Sequence, residues 1–527
     1  MSRAPALGTA LFGVFALAYV AAPPSLAYQT WDSLEYAYSC EVRGPADLWG
    51  NHPLGQLLGC GAFTVLRRLG YHGRALPIFM LVNGLAGGAA VAALFAVLRA
   101  VVGIGLLQAV GWALTLGGAY GLWRYAGMAE TYSVTVLLVI AAWGLTVWSF
   151  ERPTPGRNLL AGAAFGFATL THQFAGVVLL AGTIGLIPLF KGRGWRALVA
   201  AVGVFAGAAA LTTLVGYGLL GVFVTGSSSP VGIIRWLVGH GHNPSYGRFL
   251  TADGAATALR FFARALLGTR GLWGLRVPPL LEVVPAVALA LISVVVVRTL
   301  AHRPRTLALS CMLQWVVGGV FIVWWAPTAT KFWLPILPAF VMSGALAVAG
   351  LQSYLRGHHP GWQSRWLLDA VPLFAGGLLV LSTGTVMLRE RQPDVAFERA
   401  LKEWVRHSSP DDVLIENGRL SPHLIFWEHR LGTVNLDSSL RVDAHEPDRF
   451  AKLRQVIEQA ARQDHAVLFS PGLKPYHSDD WLAVFGVTRQ QVLNFFDQYP
   501  REGPLFEYQE SDAGEVRQVY RLVVGAK

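Results

Sequence analysis

Over the first three-quarters of the chain, hydrophobic residues run together in blocks instead of alternating with polar ones. Apolar stretches fall at 6–26, 76–100, 102–122, 128–149, 157–171, 173–190, 196–224, 278–300, 306–326, 331–352 and 366–388. Their lengths cluster near the roughly 20 residues an α-helix needs to cross a hydrocarbon core, so they predict about eleven transmembrane helices. After Arg389 the pattern changes. An amphipathic helical stretch, DVAFERALKEWVRHS, leads into short runs rich in β-branched and aromatic residues: DVLIENG, GTVNLD, HAVLFS, PLFEY and VRQVYRLVV. A second helical stretch, RFAKLRQVIEQAARQ, lies among them. This mixture predicts a small α/β domain. The expected fold class is a polytopic α-helical membrane protein over 1–388, followed by a soluble C-terminal α/β domain over 389–527.

Composition supports that division. The 527 residues are 54% hydrophobic and only 14% charged, well below the roughly one-quarter charged content of soluble domains. The net charge of +11 is unevenly placed: residues 1–388 hold 24 Lys/Arg against 9 Asp/Glu, and residues 389–527 hold 18 against 22. The positive excess belongs to the membrane half, where it orients helices, and no nucleic-acid partner is expected from it. With a cytoplasmic N-terminus, the connections holding Arg99, ERPTPGRN, KGRGWR, RTLAHRPR and RGHHPGWQSRW all fall inside. The intervening loops and the C-terminal domain then fall outside. The first segment also has the look of a secretory signal ending at Ala27; on either reading Asp32 emerges on the outer face. Three cysteines form no metal motif. Cys40 and Cys60 either pair, if extracytoplasmic, or remain small apolar residues.

Against this sparse background the acids stand out. Asp32, Glu35, Glu41, Asp47, Glu130, Asp253 and Glu282 lie at or near the outer face, and Glu151 and Asp369 at the inner one. Carboxylates at membrane depth are costly and tend to mark function. Glu41 and Asp47 read as surface acids of a solvated loop, whereas Asp32 and Glu130 sit at span ends. The first outer loop, 28–75, is too long for a mere connector. Asp32 and Glu35, three apart, share one side of a helix, and His52 in NHPLG is either a helix cap or a site residue. In LWRYAGMAETYSV, Arg124 and Glu130 flank the turn, with Tyr125 and Tyr132 as aromatic-belt anchors. In THQFAG, His172 interrupts an apolar stretch, as a structural residue or a ligand.

The long outer loop 225–277 carries Arg235, Arg248, Arg260, Arg264, Arg270 and Arg276 against Asp253, with His240 and His242 in GHGHNPSYGRF. Guanidinium groups suit a phosphate or diphosphate; anionic lipid headgroups are the alternative. His240 and His242 offer two metal ligands without a third. Lys331, between tryptophans in WWAPTATKFWLPILP, snorkels to the interface or faces a lipid phosphate.

Taken in order, WDSLEYAYSCEVRGPADLWGNHPLGQLL, MAETYSVTVLLV and GFATLTHQFAGVVLL resemble the signatures of GT-C-type polytopic membrane glycosyltransferases. The nearest pattern is that of the family that includes a eukaryotic protein O-mannosyltransferase. The matching positions are Asp32 with Glu35, His52 with Pro53, Glu130 with Tyr132, and His172. Leu54 departs from a double proline, which bears on subfamily and acceptor. The resemblance implies a polyprenyl-phosphate-linked sugar donor and a protein, glycan or lipid acceptor modified outside the membrane, with inversion. It implies Asp32 as general base and Glu130 as a second acid, with His52, His172, Lys331 and loop arginines on the departing phosphate. No cofactor is required by it, and a divalent metal is compatible with the carboxylates and histidines. The Ala/Gly/Arg-rich usage points to a bacterial inner membrane and an undecaprenyl or decaprenyl carrier. A lipid or glycolipid flippase is the rival class, although no span carries clear mid-membrane charge and the spans show no two-half symmetry.

Overall fold

The structure is a computed structural model that describes residues 3–44, 48–226, 229–239, 250–268, 301–358, 365–416, 420–436, 448, 450–470, 487–509 and 516–524. The chain divides into two compact units, one of 1–24, 39–241 and 247–391, the other of 25–38, 242–246 and 392–527.

The helices in chain order are α1 (Arg3–Ala21), α2 (Trp31–Val42), α3 (Pro53–Arg68), α4 (Ala75–Ala96), α5 (Leu106–Gly118), α6 (Tyr120–Ala126), α7 (Tyr132–Glu151), α8 (Pro155–Thr171), α9 (Gln173–Leu186), α10 (Trp195–Thr225), α11 (Pro230–Gly239), α12 (Ala252–Leu267), α13 (His302–Trp325), α14 (Leu337–His358) and α15 (Arg365–Glu390). Among the described residues, eight helices are long and apolar enough to cross a membrane, and each matches an expected span. Of the remaining expectations, 157–171 is the shorter α8. The stretch 102–122 breaks at Ala119, whose ψ of 123° separates α5 from α6. The span at 278–300 lies outside the described residues.

Lipid offers little hydrophobic drive between helices, so close approach through small residues does much of the packing. Helix α5 shows how. A Cβ on Gly111 would stand 2.4 Å from Leu373 N, and one on Gly118 2.7 Å from Val380 N, so two glycines let α5 lie directly on the α15 backbone.

The loops sort to two ends of this unit, as alternating spans require. At one end Arg303 pairs with Glu151 (2.6 Å) and donates to the carbonyls of Val101 and Val102. Arg193 donates to the carbonyls of Phe150 and Glu151, and Asp369 accepts from Gln108 and Gln352, each at 3.0 Å. These belong to the connections expected inside. At the other end Gly127 packs on Pro23 and Pro24, Trp236 Nε1 donates to Leu48 O (2.7 Å), and Gln173 N donates to Asn51 O (3.1 Å).

Two expectations for the first loop change. Glu41, read as a surface acid, accepts from Arg74 Nε at 2.8 and 3.0 Å and from Ala75 N at 2.6 Å. It therefore caps the start of α4, where a negative charge meets unpaired N–H groups. Cys40 and Cys60 form a disulfide, Cα to Cα 5.5 Å, which resolves the alternative left open and ties the end of α2 to α3.

The second unit contains α16 (Val395–Arg406), β1 (Val413–Glu416), β2 (Thr433–Asn435), α17 (Ala451–Arg462), β3 (Val467–Phe469), α18 (Arg489–Phe496), β4 (Arg501–Gln509) and β5 (Val516–Leu522). The strands form one sheet in the order β2-β1-β3-β5-β4. β1 is parallel to β2 and β3, and β5 is antiparallel to β3 and β4. Both faces are covered, which explains the uninterrupted apolar runs of β1 and β3. Leu414 and Leu468 face Phe397, Leu401 and Trp404; Val413, Ile415, Val467 and Phe469 face Leu453, Ile457, Phe495 and Phe496. Ala27 packs in the first of these cores, which explains why 25–38 clusters with a domain more than 350 residues away in sequence.

Replacing Glu41 with Ala removes the acceptor for both Arg74 and the α4 N-terminus. A loss of about 1–3 kcal/mol is expected for such a charge-assisted partner, read as a lower Tm of the detergent-solubilised protein. An unchanged Tm contradicts the capping role.

Candidate functional site

Helices α8 and α9 would run on as one but for a single residue. His172 takes an extended backbone (φ −164°, ψ 122°), and its Nδ1 accepts from Phe174 N at 3.2 Å. An imidazole thus does at this N-cap what an Asn or Ser usually does. The next orphan donor, Gln173 N, is taken by Asn51 O from the first loop, and Gln173 Nε2 reaches Gly50 O at 3.4 Å.

The other ring nitrogen, His172 Nε2, lies 3.2 Å from Tyr132 Oη. Because Nδ1 accepts, the single proton of the neutral ring sits on Nε2, which donates to Tyr132. His172 thus caps α9 and meets Tyr132 with one side chain. Tyr132, expected as an interfacial anchor, is instead only 2% exposed.

Three further groups close on this pair. Lys331 Nζ stands over the Tyr132 ring at 5.8 Å. Phe332 lies 6.0 Å from His172 between ring centroids. His52, 3% exposed, lies 5.6 Å from His172 and stacks on Trp49 at 5.6 Å. His52 occupies the N-cap position of α3 in its backbone, but its side chain makes no capping hydrogen bond. The ring is thus committed to the cluster and not to the helix end. Glu130, 1% exposed, precedes Thr131, whose side chain fits against Gly55 where a Cβ would stand 2.6 Å away. That contact seats the start of α3 beside the turn carrying Glu130.

The other expected residues have these surroundings. Arg124 Nη1 donates to Tyr120 Oη (2.8 Å), which donates to Glu390 Oε1 (2.7 Å). Arg235 is exposed on α11, next to buried Trp236. His240, His242 and Arg248 lie outside the described residues. Asp32 and Glu35 occupy the first turns of α2, in the second unit. Thr30 Oγ1 caps that helix by accepting from Ser33 N (3.1 Å). Asp32 is half-buried there, and Glu35 Oε2 accepts from Trp31 Nε1 at 2.6 Å. Trp49 was missed in the sequence reading, although its place three residues before His52 was a signal. Among the described residues no three His, Cys, Asp or Glu side chains come together to hold a metal.

No protein-family model and no curated protein sequence matches this chain. Solved structures do. ArnT from Cupriavidus metallidurans bound to undecaprenyl phosphate matches with a TM-score of 0.59 and 14% identity, covering 100% of both chains. The Archaeoglobus fulgidus oligosaccharyltransferase in complex with Zn and sulfate matches at 0.53 and 14% identity, covering 96% of this chain and 72% of the other. Archaeal oligosaccharyltransferase AglB from Archaeoglobus fulgidus, in complex with an inhibitory peptide and a dolichol-phosphate, matches at 0.50 and 12%, covering 98% and 74%. The fold is that of GT-C-type polytopic membrane proteins, as the sequence motifs implied.

The double role of His172 is testable by rescue. His172→Ala loses the cap and is expected to cost about 0.5–2 kcal/mol, while His172→Asn keeps a capping oxygen and recovers most of it. Thermal unfolding of the two variants in detergent checks this; equal Tm values contradict the cap.

Proposed function

We propose that the chain is a membrane glycosyltransferase that moves a hexosyl or pentosyl group from a polyprenyl-phosphate donor to an acceptor hydroxyl. In this reading the transfer takes place on the extracytoplasmic side of a bacterial inner membrane, where the C-terminal domain also lies. The observation that carries the reading is the cluster of buried His52, His172 and Tyr132 with half-buried Lys331, beside Glu130, at one end of a GT-C-type bundle. Of the proteins with this fold, ArnT is bound to undecaprenyl phosphate and AglB is in complex with a dolichol-phosphate. Orientation needs no cation or histidine at that end. A lipid phosphate does need them.

The chemistry follows from the charges. Asp32 accepts the proton of the acceptor hydroxyl as its oxygen attacks the anomeric carbon. The bond from that carbon to the phosphate oxygen breaks, and the lipid phosphate leaves with the electron pair. Lys331 and His52 stabilise the charge that develops there. His172 acts through Tyr132 by holding its hydroxyl in place, and Glu130 orients the acceptor. Attack opposite the leaving phosphate inverts the anomeric centre. The arginines of the long loop, including Arg235 and Arg248, add to the electrostatic attraction of the anionic donor.

With a panel of polyprenyl-phosphate sugars, Asp32→Asn is expected to lower transfer by about 100-fold or more, the usual worth of a positioned base, while polyprenyl-phosphate binding persists. Lys331→Ala is expected to weaken that binding. Near wild-type transfer by Asp32→Asn removes Asp32 as the base. Lipid movement across vesicles with no sugar transferred from any donor would favour a flippase.

A further inference from the structure

The second unit contains a cavity of about 250 Å³ lined by Trp31, Ile425, Thr433, Val434, Asn435, Lys452, Leu453 and Val456. We propose that it binds one sugar ring of a glycan acceptor. The sugar-binding property stands on the cavity alone, and its assignment to the acceptor rests on the transferase reading above.

Three observations point to a hydroxylated ring. The cavity is smaller than the about 300–1,000 Å³ that holds drug-sized ligands, so it admits one ring and not a chain. Its walls are mixed: the Trp31 indole and the side chains of Ile425, Leu453 and Val456 supply apolar surface. Thr433, Asn435 and Lys452 supply a hydroxyl, an amide and an ammonium. Carbohydrates need that pairing, with an aromatic plane for the C–H face of the ring and hydrogen-bonding groups for its edge. Moreover, Thr433 is 7% exposed and its Oγ1 has no hydrogen-bond partner among the described residues. A buried hydroxyl in that state favours a ligand that supplies one.

The polar wall is also preorganised. Asn435 Nδ2 donates to Ser421 Oγ at 3.1 Å, and Ser421 donates through Oγ (2.5 Å) and N (2.9 Å) to Oε2 of the fully buried Glu416. That relay holds the Asn435 amide in one orientation. Glu416 and Asn435 end β1 and β2, and ligands of open α/β sheets bind outside the carboxyl ends of their parallel strands. The indole is fixed through Trp31 Nε1 to Glu35 and by an edge-on contact with Phe426 at 5.2 Å. Glu35 is thus a positioning residue for Trp31. Trp31 immediately precedes Asp32 in the chain, and that adjacency is the link by which the transferase reading assigns the bound ring to the acceptor.

Saturation-transfer NMR of the full-length protein in detergent with methyl mannoside, methyl glucoside and methyl arabinofuranoside tests this without donor or turnover. At least one glycoside is expected to receive saturation. Thr433→Val, which keeps the shape and removes the hydroxyl, and Trp31→Ala should each weaken its binding by about tenfold, or 1.4 kcal/mol. The proposal is overturned if no glycoside responds, if both variants bind as the wild type does, or if a sugar-free peptide alone occupies the cavity. Because the readout contains no transfer step, failure here leaves the catalytic assignment of Asp32 standing, and failure of that assignment leaves this site standing.

Discussion

One capped helix break organises the membrane unit. A chain of apolar residues from 157 to 190 has no proline at 171–173 to stop a helix, yet α8 ends at Thr171 and α9 starts at Gln173. The exposed N–H groups at the new start would be costly in an apolar setting. The His172 imidazole takes one and the Asn51 carbonyl another. Those donors tie the first loop to the start of α9, the second imidazole nitrogen reaches Tyr132 at the start of α7, and the Phe332 ring packs on His172 from the segment bearing Lys331.

The two ends of the bundle use their charges differently. At the end with Arg303 and Arg193, guanidinium groups cover carbonyls and one carboxylate, and orientation plus helix termination accounts for them. At the end with Lys331, a cation sits over a tyrosine ring beside two buried histidines, where helix termination gives no reason for it. That asymmetry gives the functional reading its direction.

Much of this was legible in the sequence and some was not, for physical reasons. Spans and strands are local patterns, so the blocks of apolar residues and the runs VLIE and VLF placed them within a few residues. The acids beside span ends were conspicuous because acids are rare there. Pairings between distant residues leave no local trace. Nothing near Glu41 announces Arg74, and nothing near Tyr132 announces His172, so the first looked like a surface acid and the second like a belt aromatic. The membership of 25–38 in the C-terminal core was equally hidden, since it depends on Ala27 meeting residues that follow some 370 positions later. The break at Ala119, a single extended residue between α5 and α6, leaves no mark on an apolar block that periodicity reads as one span.

The central claim is that a lipid phosphate is held where Lys331, His52 and Tyr132 meet. The most direct measurement is an experimental structure of the protein with bound polyprenyl phosphate. The account predicts phosphate density within hydrogen-bonding distance, about 3 Å, of Lys331 Nζ. Density at the opposite end of the bundle against Arg303 and Arg193, with the Lys331 cluster unoccupied, would contradict it.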